Sequence, residues 1–446
     1  MRRSQSITLT SLIALLLSAF MPRVQAGPAL DVWLERARAA DDGSSAGLPG
    51  LMPWSPSPGI RFGWGEPQGT TWPSMVVANE FIGRGGVRLQ TAEIGEQGGL
   101  RARFGVSLRG EGSQRAVTFE GTSLTWSPGG AARGAGEFYA SMERRHWGPG
   151  WGGSLILDGA APGVAAVGWR RTAIKASTSP WLSWIGPWGA DVFVGRLAGH
   201  QEPQRPTLIG MRFQLEPVPG FDIGLSRAIQ WGGRGRDEGW SSLRNALLGN
   251  DNVGFDGITA ENEPGNQLAG FDLRWRFGAA GSVYAQVIGE DEAGHFTSRN
   301  MPLVGFDVRV PIERGSLRLF TEWSDTLAGR FTSNPRPRAS YVHTVYQQGY
   351  THEGVILGHG GGNDVGLLSV GGVYASGPWA AVVAGSIGRA EPTALLFAPG
   401  RVAGATASVR YAADTRGSQV GAGWVWWRDT AQHRHAVQLW WQSPSW

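Results

Sequence analysis

The feature that most restricts what this chain can fold into is a two-residue alternation of apolar and polar side chains, repeated along most of its length. Leu100, Ala102, Phe104, Val106 and Leu108 interleave with Arg101, Arg103, Gly105, Ser107 and Arg109. Ile209, Met211, Phe213 and Leu215 interleave with Gly210, Arg212 and Gln214, and Phe221, Ile223 and Leu225 with Asp222, Gly224 and Ser226. Phe271, Leu273, Trp275 and Phe277 oppose Asp272, Arg274 and Arg276, and Phe306, Val308, Val310 and Ile312 oppose Asp307 and Arg309. Successive side chains of a strand point to opposite faces, so each segment is a ribbon with one greasy and one charged side.

A soluble sandwich also alternates, with its apolar face inward. Two features favour a membrane barrel. Arginines and acids repeat within single strands, as suits a wet, ion-paired lumen. Tryptophans gather near strand ends, at Trp181, Trp184 and Trp188, at Trp424, Trp426 and Trp427, and at Trp440, Trp441 and Trp446. Aromatic rings collect where hydrocarbon meets headgroups. The sequence also ends on an aromatic after the alternating Val437, Leu439 and Trp441. The expected fold is all-β, a transmembrane antiparallel β-barrel.

The N-terminus reads as an export signal. Arg2 and Arg3 precede a mostly apolar stretch over 7–21, and Val24-Gln25-Ala26 offers a cleavage site, so a mature start at Gly27 is expected. No later run of about 18 apolar residues exists, and no membrane-spanning helix is expected. The 446 residues include no cysteine, which removes any risk of mispairing in an oxidising compartment and excludes a lipidated cysteine. The net charge is +4 and Lys175 is the only lysine, so the basic character is almost all arginine. Its rigid fork suits carboxylates, phosphates and aromatic faces. That points to acidic sugars, lipopolysaccharide phosphates or internal ion pairs, and the export signal speaks against nucleic acid. Residues 31–40 (DVWLERARAA) form the one helical stretch, and a Gly/Pro/Ser-rich connector follows. The expected organisation is a signal peptide (1–26), a periplasmic segment with a short helix and linker (27–59), and a barrel (60–446).

Short connections at 278–281, 313–315, 376–378 and 414–417 alternate with long irregular ones at 144–162, 232–267, 289–302, 325–339 and 389–400. Outer-membrane barrels have short periplasmic turns and long outside loops, which sets the orientation. About 390 residues, at roughly 20 or more for each strand and its connection, give 16 to 18 strands. Such a barrel has a lumen that must stay open or be plugged.

The densest unusual segment is ERRHWGPGWGGS, residues 143–154. Trp147 and Trp151 would stack on sugar rings while Arg144, Arg145 and His146 bind carboxylates or hydroxyls. The alternative is a loop folded into the barrel, its glycines turning tightly and its arginines paired to wall acids. Trp231, Arg234 and Arg236 open the longest loop, whose acids Asp251, Asp256, Glu261 and Glu263 read as a glycan or cation site or as ordinary solvated chemistry. Acidic residues 289–294 lack the spacing of a calcium loop. HGGGND at 359–364 has no following lysine and no helix, so it is not a phosphate loop. His433 and His435 share a strand face without a third ligand, so no metal is expected. No nucleophile elbow or serine–histidine spacing supports catalysis.

Four segments, ERRHWGPGWGGSLILDGAAPG (143–163), LSRAIQWGGRGR (225–236), GFDLRW with IGEDEAG (270–294) and YQQGYTHEGVILGHGGGND (346–364), resemble in order and spacing the Wzi-type capsule assembly family. The resemblance runs from about Trp54 to the C-terminus. It implies an outer-membrane barrel of about 18 strands, a lumen blocked by inward-folded loops, and attachment of capsular polysaccharide without enzyme activity or polymer export. Members of the family carry a periplasmic helical element, which here only 31–40 can supply.

The function expected is a non-enzymatic, lectin-like barrel at the cell surface that holds capsular or other acidic polysaccharide weakly at many points. Arg144, Arg145, His146, Trp147, Trp151, Trp231, Arg234 and Arg236 are the expected glycan contacts, with no cofactor and no metal. Outer-membrane lipid, lipopolysaccharide and the barrel assembly machinery are the other expected partners. A diffusion porin is the alternative, and it needs an open lumen. An outer-membrane hydrolase would need a site that cannot be assembled from these residues.

Overall fold

The computed structural model describes residues 59–65, 85–91, 94–95, 97–111, 114–128, 136–249, 263–290, 292–293, 296–297, 299–332, 334–413 and 418–443. In the N-terminal segment it describes Trp33, Leu34, Arg36, Ala37 and Ala40. The signal peptide, the connector after the helix, the acids Asp251, Asp256 and Glu261, the turn at 414–417 and Trp446 lie outside the described residues.

Among the described residues twenty strands form one sheet, and every pairing in it is antiparallel. The first ten are β1 (Gly59–Gly65), β2 (Gly85–Gln90), β3 (Leu100–Arg103), β4 (Gly105–Glu111), β5 (Gln114–Thr118), β6 (Ser123–Trp126), β7 (Glu137–Ser141), β8 (Ala166–Ala176), β9 (Pro187–Arg196) and β10 (Thr207–Val218). The others are β11 (Phe221–Trp231), β12 (Gly265–Arg276), β13 (Gly281–Glu290), β14 (Asn300–Val310), β15 (Ser316–Asp325), β16 (Val365–Ser376), β17 (Trp379–Ala390), β18 (Gly400–Ala412), β19 (Gln419–Arg428) and β20 (His433–Gln442). From β7 to β20 each strand pairs with the next in sequence. β3 and β4 are one ribbon interrupted at Phe104. It lies between β2 and the similarly interrupted β5–β6 ribbon. β1 pairs with β2 on one side and with β20 on the other, through rungs such as Phe62↔Trp441.

The faces are distributed as in a membrane barrel. Val192, Leu225, Phe271, Phe306, Leu319, Val370, Val383 and Ile387 are exposed, Val383 and Ile387 each at 61 %. Their alternation partners Arg212, Asp272, Asp307, Arg318 and Glu322 are buried. Water-solvated proteins do not bury charge and expose aliphatics in this systematic way. The buried charges are paired: the Arg212 guanidinium donates two parallel bonds to the Asp272 carboxylate at 2.7 and 3.0 Å. Arg276 bridges Glu216 and Asp222, and Asp307 faces both Arg274 and Arg318. Pairing with good geometry offsets the cost of taking such charges out of water.

Two expectations are corrected. Trp427 and Trp440 are buried on the inner face, Arg61 lying over the Trp440 ring at 4.3 Å, so they are not interfacial anchors. Trp181 and Trp184, in the 177–186 connection, are exposed. The 232–267 segment is not wholly irregular: it carries the helix Trp240–Leu248, and β12 already begins at Gly265. That helix packs Ala246, Leu243 and Leu247 on Ile209, Met211, Ile229 and Trp231 of the outer wall. Its last carbonyls, Ala246 and Leu247, accept bonds from the outward-facing Arg227 at 3.1 and 3.0 Å, a cation favourable at a helix C-terminus. The described N-terminal residues are helical and pack on the inner face of the sheet. Leu34 and Ala37 join the lumen core, and Arg36 donates to the Gly150 carbonyl at 2.8 Å.

Candidate functional site

β7 leaves the sheet at Ser141, and the chain up to Ala166 folds back against the sheet's inner, charged face as a plug. Trp147 is 1 % exposed and meets Phe193 edge-on, while Trp151 is 4 % exposed and stacks on Phe320 at 5.6 Å. Wall side chains satisfy the plug's backbone. Gln286 donates to the Trp147 carbonyl at 2.9 Å and accepts from the Leu155 N–H at 2.8 Å, and Glu322 accepts from the Trp151 N–H at 2.8 Å. The glycines are required here because a Cβ on Gly150 would meet the Gly153 carbonyl oxygen at 2.2 Å.

The arginines of this segment are spent on the wall. Arg144 pairs with Glu120 and donates to the Ala160 carbonyl at 3.1 Å. Arg145 lies 4.2 Å over the Phe193 ring beside Asp191, and His146 Nδ1 bonds the Asp158 carbonyl at 2.8 Å. Arg144, Arg145, Trp147 and Trp151 are buried, so they are not available to stack on or pair with an arriving polymer. His146 is held in the same packing. The reading as an inward-folded loop describes these five residues.

Trp231, Arg234 and Arg236 are brought together elsewhere, at the end of the sheet that carries the long connections. Trp231 is half-buried under the outer helix and donates Nε1–H to Ser242 at 3.1 Å, which turns its ring away from the mouth. Arg234 and Arg236 line a cleft of about 310 Å³ with Gln201, Glu202, Pro203, Gln204 and Val345. The Arg234 N–H donates to the Gln204 carbonyl at 2.8 Å, and its exposed guanidinium has no hydrogen bond or ion pair among the described residues. Arg236 bonds the Glu263 carbonyl and lies 5.7 Å over the Tyr346 ring.

The other wall of the cleft comes from 326–364, which sequence reasoning did not nominate. Gln347 donates to Glu202 at 2.9 Å, and Gln348 accepts from the Gln201 N–H at 3.0 Å. Below them His343 Nδ1 accepts from the N–H groups of Val345 and Tyr346 at 3.1 and 3.3 Å. Burial, with Arg236 and Arg299 nearby, lowers His343 to about 4 and keeps it neutral. Tyr341 reaches from this segment into the plug, its hydroxyl donating to the Leu155 carbonyl at 2.7 Å. The only legible signal for these contacts was the motif at 346–364; its glutamines carry no periodicity.

This end of the sheet therefore offers a tightly packed floor and a shallow polar cleft with an exposed guanidinium that has no ion pair among the described residues. Arginine and amide side chains suit carboxylate and hydroxyl groups of a sugar. Among the described residues no cluster of three His, Cys, Asp or Glu is placed to hold a metal.

The chain is 36 % identical over 184 residues to an uncharacterized 55.8 kDa protein in the cps region of Klebsiella pneumoniae, a match covering 40 % of this chain and 36 % of the relative. The chain thus spans about a third of that relative's length in the match. Among solved structures it is similar to Wzi of Escherichia coli, an outer-membrane protein involved in group 1 capsule assembly and described as a carbohydrate-binding β-barrel. The TM-score is 0.68 at 21 % identity, over 97 % of this chain and 92 % of that one. The family described as capsule assembly protein Wzi matches residues 85–374, well over half of the sequence, and the chain belongs to that family.

Proposed function

We propose that this protein is a closed outer-membrane barrel that holds capsular polysaccharide at the cell surface and leaves it chemically unchanged. Counting the interrupted ribbons β3–β4 and β5–β6 as one strand each takes the twenty strands to eighteen. The β1–β20 ladder supports closure. The long connections, with the arginine-bearing cleft, then face outward. The carrying observation is the lumen: plug, wall and N-terminal helix share one buried apolar cluster beneath the cleft. A polymer that cannot enter the barrel is held at its mouth, and weak contacts repeated along a chain and over many copies add up to retention. Arg234 and Arg236 are the first contacts. A diffusion porin needs an open lumen, and the buried Trp147 and Trp151 speak against it. The reading also takes in outer-membrane lipid around the wall and the barrel assembly machinery during insertion.

The test is complementation of a deletion strain, reading the ratio of cell-bound to released polysaccharide. The wild-type gene should restore the bound fraction, and the R234A/R236A pair should restore it only in part. An equal ratio in the deleted and complemented strains would count against the proposal.

A further inference from the structure

The outer wall carries a second feature far from the plug. Across β15 to β19 the outward-facing side chains form rows set by strand register. One row reads Asp325, Gly366, Arg389, Arg401 and the next Trp323, Leu368, Ile387, Ala403, Arg428. Together they line a groove of about 720 Å³. Its base is apolar, with Trp323, Leu368, Ile387 and Trp426, and Gly366 keeps it open, because only the Asp325 carboxylate lies within 4 Å of where its Cβ would stand.

The charges above this base are unbalanced. Arg330 takes both acids, donating to Glu391 at 2.8 Å and pairing with Asp325. Arg389, Arg401 and Arg428 are exposed, and their guanidinium groups have no hydrogen bond or ion pair among the described residues. Arg389 stands directly opposite Arg401, an arrangement that is destabilising for like charges unless an anion lies between them. All three lie within a residue or so of a strand end: Arg389 in Trp379–Ala390, Arg401 in Gly400–Ala412, Arg428 in Gln419–Arg428. Arg389 and Arg401 flank the long 391–399 connection, and Arg428 leads into the short 429–432 turn at the same rim; on the outer-membrane reading this puts the three cations at headgroup depth, with Trp323, Leu368 and Ile387 one rung further into the hydrocarbon. Phe331, exposed at the same rim, packs edge-on against Trp323 at 5.3 Å.

We propose that this groove binds a phosphorylated, acylated glycolipid of the outer leaflet, its phosphates between Arg389, Arg401 and Arg428 and an acyl chain along the Trp323–Leu368–Ile387 floor. The guanidinium fork matches phosphate oxygens in two-point contact, and the floor supplies what a free phosphate cannot use. An acidic polysaccharide would engage the same cations and could stack on a tryptophan ring, but it has no acyl chain to lay along Leu368 and Ile387, so the lipid is favoured. The inference rests on the outer-membrane reading. The groove does not share a residue with the polysaccharide cleft, so either can fail without the other.

The test uses the full mature chain in phosphatidylcholine nanodiscs and native mass spectrometry. The probes are lipid A with two phosphates and the same lipid after dephosphorylation. Wild type should retain the phosphorylated form about tenfold better. R389Q/R401Q/R428Q should abolish that preference while keeping heat-modifiable mobility. A403W, which fills the floor and leaves every charge, should also weaken retention, and inorganic phosphate should not displace the lipid. Equal retention of the two lipids by the wild type overturns the proposal, and it needs no variant to fold. So does displacement of the lipid by a soluble acidic polysaccharide.

Discussion

Acid should loosen the segment that seals the mouth, and the size of the effect follows from three histidines. His343, His352 and His359 all lie in the 326–364 connection and all accept backbone N–H groups on Nδ1. His352 accepts from Ala198 at 3.0 Å and His359 from Gly361 at 3.1 Å, beside the two bonds to His343. A proton on Nδ1 would set N–H against N–H, so the closed segment requires neutral rings. Burial lowers each from 6.5 to about 4, helped by Arg236 and Arg299 at His343 and by His200 at His352. The closed-state value is depressed, so the stabilisation is fully present above 6.5 and is lost as pH falls from 6.5 towards 4. Between pH 7.5 and 5 that is about 2 kcal/mol for each ring freed on opening, or roughly 30-fold in the opening equilibrium. Hydrogen exchange followed by mass spectrometry, corrected for intrinsic rates, reads it directly. Amides over 341–361 should lose protection at pH 5, while those of β10 to β12 hold. H343Q keeps an acceptor without a titrating proton and should remove about one ring's share. Equal protection at both pH values, or an undiminished acid effect in a variant with all three histidines replaced by glutamine, would show that these rings do not hold the segment closed.

Removing the Trp151 ring from Phe320 in W151A should cost roughly 3–5 kcal/mol and open transient conductance in planar bilayers where the wild type is silent. Continuous silence would show that the plug does not depend on this stack. G150V, whose side chain would collide with Gly153 and Glu322, should expel the plug and expose Trp147 to fluorescence quenchers. D272A leaves the Arg212 charge buried without its two-point partner and should lose about 3–5 kcal/mol in denaturant unfolding. V383R, on the outer face near mid-strand, should cost roughly 2–4 kcal/mol in lipid vesicles; a value near zero would contradict a lipid-facing wall.

The alternation around Arg212, Asp272 and Asp307 was enough to define ribbons with one apolar and one charged side, because a strand's two faces are a purely local property. The arginine-rich polar face and the four ordered motifs carried that as far as a membrane barrel and a family. Tertiary structure decided which way particular rings point. Trp426 and Trp427 are neighbours of identical chemistry, yet one faces out and the other in, because pleating alternates and only the assembled wall defines inside. It also decided the fate of 143–154. Trp147 and Trp151 are buried by Gln286, Phe193, Glu322 and Phe320, residues 46 to 171 positions away in sequence from the groups they touch, and no local pattern encodes such contacts. The facing arginines 389 and 401 arise the same way: each is unremarkable in its own strand, and their juxtaposition exists only once register sets one strand beside the other.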